Sequence, residues 1–193
     1  MLQLLDESLE GFLRAEVPLG ARDIDVAFDA PDKDWAAQLS RPTVNLFLWD
    51  MSRSSPRMES GMETVTVDGK VMRRWAPIPI DFRYLVTAWT AEHNDEHQLL
   101  GNLLRTILAN RTLPHQYMTG GLGDMGEVTM SMSSSGDRVQ TDLWRAFDGQ
   151  LKPGIEVVLT MYVDTDSLEA AGPPATGLDL ATTDMQGTSE QPT

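Results

Sequence analysis

The sequence has no cysteine, and no apolar run in it approaches the roughly 20 residues that a membrane-spanning helix needs. Without cysteine, a disulfide scaffold, a thiolate zinc site and a cysteine nucleophile are excluded. The first residues, Met1–Glu7, are acidic where a secretory signal peptide would be basic. We therefore expect a soluble protein that is made and kept in the cytoplasm and has no membrane partner.

Basic residues are scarce and unevenly placed. The chain has 15 Lys and Arg against 29 Asp and Glu, a net charge of −14, and no Lys or Arg follows Lys152. Binding of a phosphate backbone needs clustered Lys and Arg, so we expect no nucleic-acid partner. Beyond position 164 the chain consists largely of Gly, Pro, Thr, Ser, Ala and acidic residues. This composition predicts a folded domain over residues 1–164 and an acidic, disordered tail over residues 165–193.

The segment between Pro79 and Pro114 predicts the central unit of the fold. Its first part, Ile80–Trp89, alternates with a period of two and predicts a strand. Leucine and isoleucine then recur at helical spacing up to Leu108, with Asn94 or Asp95 as the helix cap. Pro114 prevents the helix from running further.

The flanking sequence supplies the other elements. Before the central strand we expect an amphipathic helix over Leu2–Val17, a short strand over Ile24–Phe28 and a polar connection over Asp29–Arg41. Val44–Trp49 is apolar on both faces apart from Asn45, which predicts a strand covered on both sides. The segment Met51–Met62 has no clear period and predicts a mobile loop.

A hairpin follows, in which Asp68-Gly69 supplies the positive φ angles of a tight turn. Because prolines follow it, we expect this hairpin at a sheet edge. After the long helix, the pattern predicts a strand over Val128–Ser133, a short helix around Trp144 and a last strand over Ile155–Val163. The fold class is α+β: a mixed, largely antiparallel sheet with one long and one or two shorter helices packed mainly on one face.

Two groups of residues match sequence motifs of ligand-binding sites. Gly121, Gly123 and Gly126 match a dinucleotide-binding motif, but that motif must follow a strand and open a helix, whereas here a helix precedes and a strand follows. A flexible loop explains these glycines better, and we expect no cofactor.

His93 and His97 are four residues apart and have Asp95 between them, which is one spacing for zinc ligands. However, Asn94 stands where a metalloprotease helix has Glu, and we expect His93 to precede the helix cap. The acidic start of a helix, favoured by the helix dipole, accounts for this segment, so we expect no metal. Asp81 and Arg83 share one face of the central strand, where they form either part of a catalytic pair, a polar patch or a contact with a neighbouring subunit. No group predicts a reaction.

Several segments, taken in their order along the chain, resemble the N-terminal domain of the cap, or tail-terminator, proteins of phage-tail-like contractile injection systems. The resembling segments are Arg41–Leu48, Ile80–Trp89, Glu96–Gly101, Leu143–Ala146, Lys152–Gly154 and the closing strand. The resemblance covers about residues 1–164 and includes the N-terminal helix.

The resemblance implies a structural protein and not an enzyme. Members of this family form a hexameric ring at the end of the particle distal to the baseplate, where the ring ends the tube and holds the last ring of the sheath. It thus implies three partners: further copies of the chain, the tube protein and the sheath protein. As interface candidates we take Arg53 and Arg57 in the polar loop, Arg83 on the central strand, and Tyr162 and Val163 at the end of the domain. The alternatives are a small metal-binding protein or enzyme that uses His93 and His97, and a monomeric adaptor.

Overall fold

The computed structural model of the chain describes residues 1–17, 24–55, 61–133, 137–148, 151–165 and 167–170, with residues 137–140 described by their backbone alone. The elements, in chain order, are α1 (Leu2–Glu16), β1 (Asp25–Ala27), α2 (Lys33–Gln38), β2 (Thr43–Arg53), β3 (Met62–Val67), β4 (Lys70–Trp75), β5 (Ile78–Trp89), α3 (His93–Ala109), β6 (Thr129–Met132), α4 (Asp137–Ala146), β7 (Gly154–Val163) and β8 (Leu168–Ala170). Two short 3₁₀ helices, His115–Tyr117 and Leu122–Met125, lie between α3 and β6.

The strands form two sheets. The larger sheet has the order β1-β2-β5-β7-β6, in which β1 is parallel to β2 and the other pairs are antiparallel. β5 lies at its centre, as the sequence predicts. The smaller sheet has the order β3-β4-β8 and is antiparallel throughout. The α+β class with a mixed, largely antiparallel sheet is therefore confirmed. β3 and β4 form the predicted hairpin, and β3 lies at the edge of this smaller, separate sheet.

The core lies between α1, α3 and one face of the larger sheet, which we call the inner face. β5 contributes Phe82, Tyr84 and Val86 to this face, because alternate residues of a strand point the same way. The side chains that meet them from α1 are Leu5, Leu9, Phe12 and Leu13, and those from α3 are Leu99, Leu100, Leu103 and Ile107. The two longest helices thus pack on one face, and the predicted helical stripe is core.

Within the described residues, helices cover the opposite, outer face of the sheet at the end where β5 finishes. There Trp35 of α2 packs edge-on against Trp89, with ring centroids 5.3 Å apart. Phe147, just after α4, packs in the same way on Phe47 of β2 at 5.2 Å. The other end of this face carries polar side chains.

Four local predictions are corrected. α2 forms within the expected polar connection, because Asp32 caps it by accepting a hydrogen bond from the backbone N–H of Trp35 at 2.7 Å. β2 runs on to Arg53 by pairing with β5, so the first part of the expected mobile loop is strand, while residues 56–60 lie outside the described residues. The other two concern α3 and β8.

The long helix begins earlier than expected. α3 starts at His93 with Glu92 at the cap position, where Glu92 makes no side-chain cap hydrogen bond, so neither Asn94 nor Asp95 caps it. Leu168–Ala170, within the expected disordered tail, form β8 by pairing with β4. The ion pair of Arg74 with Asp164, at 2.8 Å, connects β4 to the segment that leads into β8. The rest of the predicted tail, from residue 171, lies outside the described residues. Among the described helices, none has both the length and the apolar character that crossing a bilayer requires.

Candidate assembly surfaces

One face of the smaller sheet is exposed over its whole length. Met62, Thr64 and Thr66 of β3 lie directly opposite Trp75, Arg73 and Val71 of β4, and all six residues are exposed. We call these six residues the exposed hairpin face. The apolar members are unusually accessible: Trp75 is 49% exposed, Met62 40% and Val71 55%. Trp, Met and Arg are the residue types that protein interfaces favour.

The hairpin turn has the geometry that its sequence predicts. Asp68 and Gly69 have φ angles of 50° and 75°, so both central residues of the turn lie in the left-handed region. On its other long side, β3 has no strand partner within the described residues. The backbone N–H and C=O groups along that side are therefore oriented for a further strand.

A polar cluster occupies the uncovered part of the outer face. The Arg83 guanidinium contacts the Glu156 carboxylate at 3.2 Å and the Asp50 carboxylate at 3.4 Å, and Glu156 is only 5% exposed. Asp81 accepts a 2.6 Å hydrogen bond from the Thr160 hydroxyl. Asp81 and Arg83 thus bind different neighbours and do not form a pair with each other. They border an open groove of about 1020 Å³.

A buried ion pair lies at the end of the sheet where β5 finishes. Lys152 contacts Glu96 of α3, and its ammonium lies 4.7 Å from the ring centroid of Trp89. Glu96 falls on the helical stripe of Leu99 and Leu103, which puts a carboxylate in a buried position. A charge buried there requires a partner, and Lys152 provides it.

This ion pair brings together segments that are distant in sequence. Arg41-Pro42, Trp89, Glu96 and Lys152 all line one groove of about 610 Å³, bordered on one side by α2. These positions fall within the segments on which the family resemblance rests. In the sequence, the one sign of this cluster is a charged residue, Glu96, on the apolar helical stripe of Leu99 and Leu103.

Three of the predicted interface residues, Arg53, Tyr162 and Val163, lie at the end of the larger sheet where β5 begins. Arg53, at the end of β2, and Tyr162, in β7, are exposed, Tyr162 by 38%. Val163 is half-buried and packs against the core. Arg83 is drawn into the polar cluster, and Arg57 lies outside the described residues. Among the described candidates, only Arg83 is held in contacts with neighbouring carboxylates on the outer face.

The histidines of the metal hypothesis lie on α3. His93 and His97 are both exposed in the first part of the helix, so the expectation that His93 precedes the helix is wrong. Across the described ranges, no three His, Asp or Glu side chains are arranged to hold a metal ion. The glycine motif likewise has the wrong setting for a dinucleotide. Gly121 precedes a four-residue 3₁₀ helix, and the next described element is the strand β6. The α-helix that a dinucleotide site needs therefore does not begin at these glycines.

Comparisons with known proteins agree with the fold. The sequence profile of a family described as the Pvc16 N-terminal domain matches residues 4–177. Among solved structures, the sheath/tube terminator of an extracellular contractile injection system, PVC, in the extended state, superposes with a TM-score of 0.67 at 18% identity. That alignment covers 97% of this chain and 65% of the other.

A second solved structure shares the fold. The tube-terminating cap of the anti-feeding prophage superposes with a TM-score of 0.62 at 17% identity, over 92% of this chain and 60% of the cap protein. The chain therefore spans less than two thirds of the length of either protein. A comparison with curated proteins found no match.

Proposed function

Because the chain belongs to the family of the Pvc16 N-terminal domain, we propose that it is a structural cap of a phage-tail-like contractile injection particle. In this proposal it forms a hexameric ring at the end distal to the baseplate. The ring sits on the last ring of the tube, stops its growth and holds the last ring of the sheath. The observation that carries the proposal is the match of nearly the whole chain, 97%, to the fold of a sheath/tube terminator.

The surfaces of the fold support a role in assembly. A cap must contact copies of itself and two other proteins, so it needs several exposed surfaces that its own core does not use. The exposed hairpin face, with Trp75 and Met62, is one such surface. The side of β3 that has no strand partner among the described residues is another, because a sheet edge can pair with a strand of a partner.

The proposal assigns no catalysed reaction to the chain. A cap acts through contacts, and Asp81 and Arg83 serve here to connect neighbouring strands of the sheet. It also assigns neither a nucleic-acid nor a membrane partner, in keeping with the net charge of −14. Within the assembled particle the chain would be a cytoplasmic component until the particle is released.

For contacts with the tube and sheath we propose Arg53, Arg57 and Tyr162. Arg53 and Tyr162 are exposed, and Arg is favoured at interfaces for its planar, multi-donor head. In this proposal the domain covers residues 1–164, and the acidic residues beyond β8 would contact basic surface on the sheath. Replacing Arg53 and Arg57 by Ala tests these contacts. If the variant particles keep their caps, the two arginines do not contribute to binding of the tube or the sheath.

The test of the cap function is electron microscopy of particles from a strain that lacks this gene. We expect tubes and sheaths of uncontrolled length, or sheaths that do not stay joined to the tube. Re-expression of the intact chain should restore the normal length distribution. Particles of normal length with an ordinary closed end in the deletion strain would refute the cap function.

A further inference from the structure

The hairpin of β3 and β4 stands outside the core. It contributes no residue to the core cluster, and its strands pair with β8 and not with the larger sheet. On the exposed hairpin face, Met62, Val71 and Trp75 remain accessible in the single chain. A small sheet gains independent stability when an apolar face of it is buried, and in this hairpin that burial is missing among the described residues.

The outer side of β3 presents backbone groups of the same residues that form the exposed hairpin face. The Ala76 N–H donates a 2.9 Å hydrogen bond to the Gly61 carbonyl, which lies directly opposite in the register that pairs Met62 with Trp75. Hydrogen-bonded and non-hydrogen-bonded pairs alternate in an antiparallel ladder. The three residues of β3 on the exposed hairpin face therefore direct their N–H and C=O groups away from β4.

β6, at one edge of the larger sheet, is covered over only part of its length by described residues. The Met130 N–H donates a 2.7 Å hydrogen bond to the Arg111 carbonyl, in the segment after α3. Ser133 donates in the opposite direction, to the Glu156 carbonyl of β7 at 3.0 Å. By the same alternation, Met132 directs its N–H and C=O away from β7, where no described strand lies. We call this part of the strand the open part of β6.

Exposed apolar side chains lie beside the open part of β6. Met132 is 40% exposed and Leu108, at the end of α3, is 63% exposed, and both border the groove of about 1020 Å³. Met132 points to the inner side of the sheet, because it follows the core residue Met130 by two positions. The charged residues that line the groove are two of each sign: Asp81, Glu127, Arg83 and Arg111. Backbone pairing and apolar contact, and not charge, therefore decide what fits here.

We propose that β3 of one copy pairs with the open part of β6 in the next copy, antiparallel and with Thr64 opposite Met132. Directly opposite residues of an antiparallel pair point to the same face. The exposed hairpin face then lies on the inner side of the extended sheet, beside the end of α3, where it contacts Leu108.

The occupant is a second copy of this chain, because the chain carries the strand that the edge requires. An added strand covers Leu108 and Met132 with apolar surface only if its outward-directed backbone groups belong to its apolar face. β3 meets this requirement through Met62 and its neighbours on the exposed hairpin face. A strand of the opposite alternation would place its apolar side chains on the polar outer face, beside Arg83.

The position of the two surfaces fits a ring. They are different surfaces of one molecule, and such heterologous contacts close into rings when the rotation between copies allows it. The hairpin joins β5 just before Ile78, and β6 begins with Thr129 at the level of Asp81, so both lie towards the same end of the larger sheet. Copies arranged side by side at one height can therefore make the contact. The proposal deepens the ring of the proposed function and rests on it for the number of copies that close.

The absence of cysteine makes a cross-linking test clean. In the purified full-length chain, Thr64→Cys and Leu108→Cys are combined in one variant and treated with a short bis-maleimide. Both positions are exposed, so neither change disturbs the core. We expect a ladder of cross-linked chains on a denaturing gel, since each copy then links to the next.

The matched control replaces Leu108→Cys by Leu151→Cys. Leu151 is 66% exposed, close to the value for Leu108, but it precedes β7 at the end of the sheet where β5 finishes. We expect the ladder to be absent or much weaker with this pair. Equal ladders in both variants, or no ladder from the Thr64–Leu108 pair, would overturn the proposed contact.

A proline at Met132 tests the backbone pairing itself. Met132→Pro removes the outward N–H and leaves the hydrogen bonds between β6 and β7 in place, as proline does on an edge strand. The variant should weaken self-association by roughly tenfold or more in sedimentation velocity, the size of effect expected at the centre of an interface. Unchanged association in a variant that keeps its circular dichroism spectrum would overturn the strand pairing.

If Met132→Pro does not fold, Leu108→Glu takes its place. Leu108 is exposed, so the fold should tolerate the change, while the introduced carboxylate would be buried against the exposed hairpin face of the next copy. We expect a similar loss of association, with Leu151→Glu as the control that leaves it unchanged. Equal association in these two variants would overturn the proposal.

The two proposals fail in different ways. If particles of the deletion strain lose their caps but neither the cross-links nor the substitutions behave as expected, the cap function stands and this contact is wrong. If the ladder forms and the substitutions weaken association while the deletion strain makes normal particles, the contact stands and the cap function is wrong.

Discussion

At the scale of single residues, β5 and α3 contribute fully buried side chains to one core, among them Tyr84 and Leu103 at 0% exposure. Most residues that share a face in the sequence pattern of these elements are buried, but Leu108, at the end of the α3 pattern, is 63% exposed. Exceptions arise where a polar residue occupies a buried position. Glu96 is the clearest, because its charge is matched by Lys152, which lies 56 residues away. No local pattern reveals such a partner.

Because α3 contributes to the core, replacing its buried Leu103 by alanine should reduce stability much more than replacing its exposed Leu108. Leu103→Ala should lower the free energy of unfolding by about 2–5 kcal/mol, since it removes a fully buried side chain and leaves a cavity. Leu108→Ala on the same helix should change it by less than about 0.5 kcal/mol, because Leu108 is 63% exposed. Urea denaturation of both variants measures the difference, and equal effects would contradict the assignment.

Asp6 predicts a pH dependence of stability. Burial raises the pKa of this carboxyl above its ordinary value of 3.8, and the hydrogen bond that it accepts from the Tyr84 hydroxyl at 2.7 Å only partly opposes that rise. A carboxyl with a raised pKa in the folded state destabilises the fold when it ionises. The destabilisation caused by ionised Asp6 is absent below pH 3.8 and complete above the pKa of the folded state.

Asp6→Asn removes this titration while leaving an acceptor for Tyr84. The variant should therefore gain stability relative to the unmodified chain as the pH rises from about 3.8 towards neutrality. Thermal unfolding of both proteins across this pH range measures the difference. A stability difference that is constant with pH, or that falls as the pH rises, would show that Asp6 is not perturbed by burial.

At the scale of elements, long periodic segments were predictable and short ones were not. β5, β7, α1 and α3 each contain enough turns or alternations to be recognised. α2 has six residues and is fixed by the contact of Trp35 with Trp89, which no local pattern encodes. β8 has three exposed residues. It forms by pairing with β4, and the ion pair of Arg74 with Asp164 positions the segment that leads into it.

The candidate surfaces were predictable to a lesser degree. The sequence indicates that the chain has exposed arginines near residue 53, and Arg53 is indeed exposed. It does not indicate that Met62, Val71 and Trp75 share one accessible face, because this depends on the register between β3 and β4. The turn at Asp68-Gly69 fixes that register. The shared face could therefore be found from the sequence, but only by pairing β3 and β4 residue by residue from the turn.

The ion pair of Glu96 in α3 with Lys152, just before β7, predicts a moderate loss of stability when Glu96 is replaced. Glu96→Gln should destabilise the fold by roughly 3 kcal/mol, because it leaves Lys152 charged and largely buried without its partner. Asp142→Asn is the matched control on an exposed pair. Asp142 and Arg145 have side chains 72% and 77% exposed, so the change should stay within about 0.5 kcal/mol. Denaturation by urea compares the two variants, and similar small effects would mean that the Lys152 ion pair is not a structural connection.

At the scale of the whole molecule, the distribution of charge and apolar surface is asymmetric. Residues 53–75, with five basic and three acidic residues, have a net charge of +2, and the rest of the chain, with ten basic and 26 acidic residues, −16, although Asp164 and Glu169 also lie beside β4. The core between α1, α3 and the sheet accounts for stability, while the smaller sheet adds little to it and exposes Trp75. An element that contributes exposed apolar surface in place of core is explained when another molecule covers it.

The proposed cap function requires that copies of this chain form the terminal ring of a contractile injection particle. A cryo-EM reconstruction of the baseplate-distal end of intact particles tests this requirement. We expect six copies of this fold in a closed ring, in contact with the last tube ring and the last sheath ring. A different fold at that end, or this fold at the baseplate or along the shaft, would contradict it.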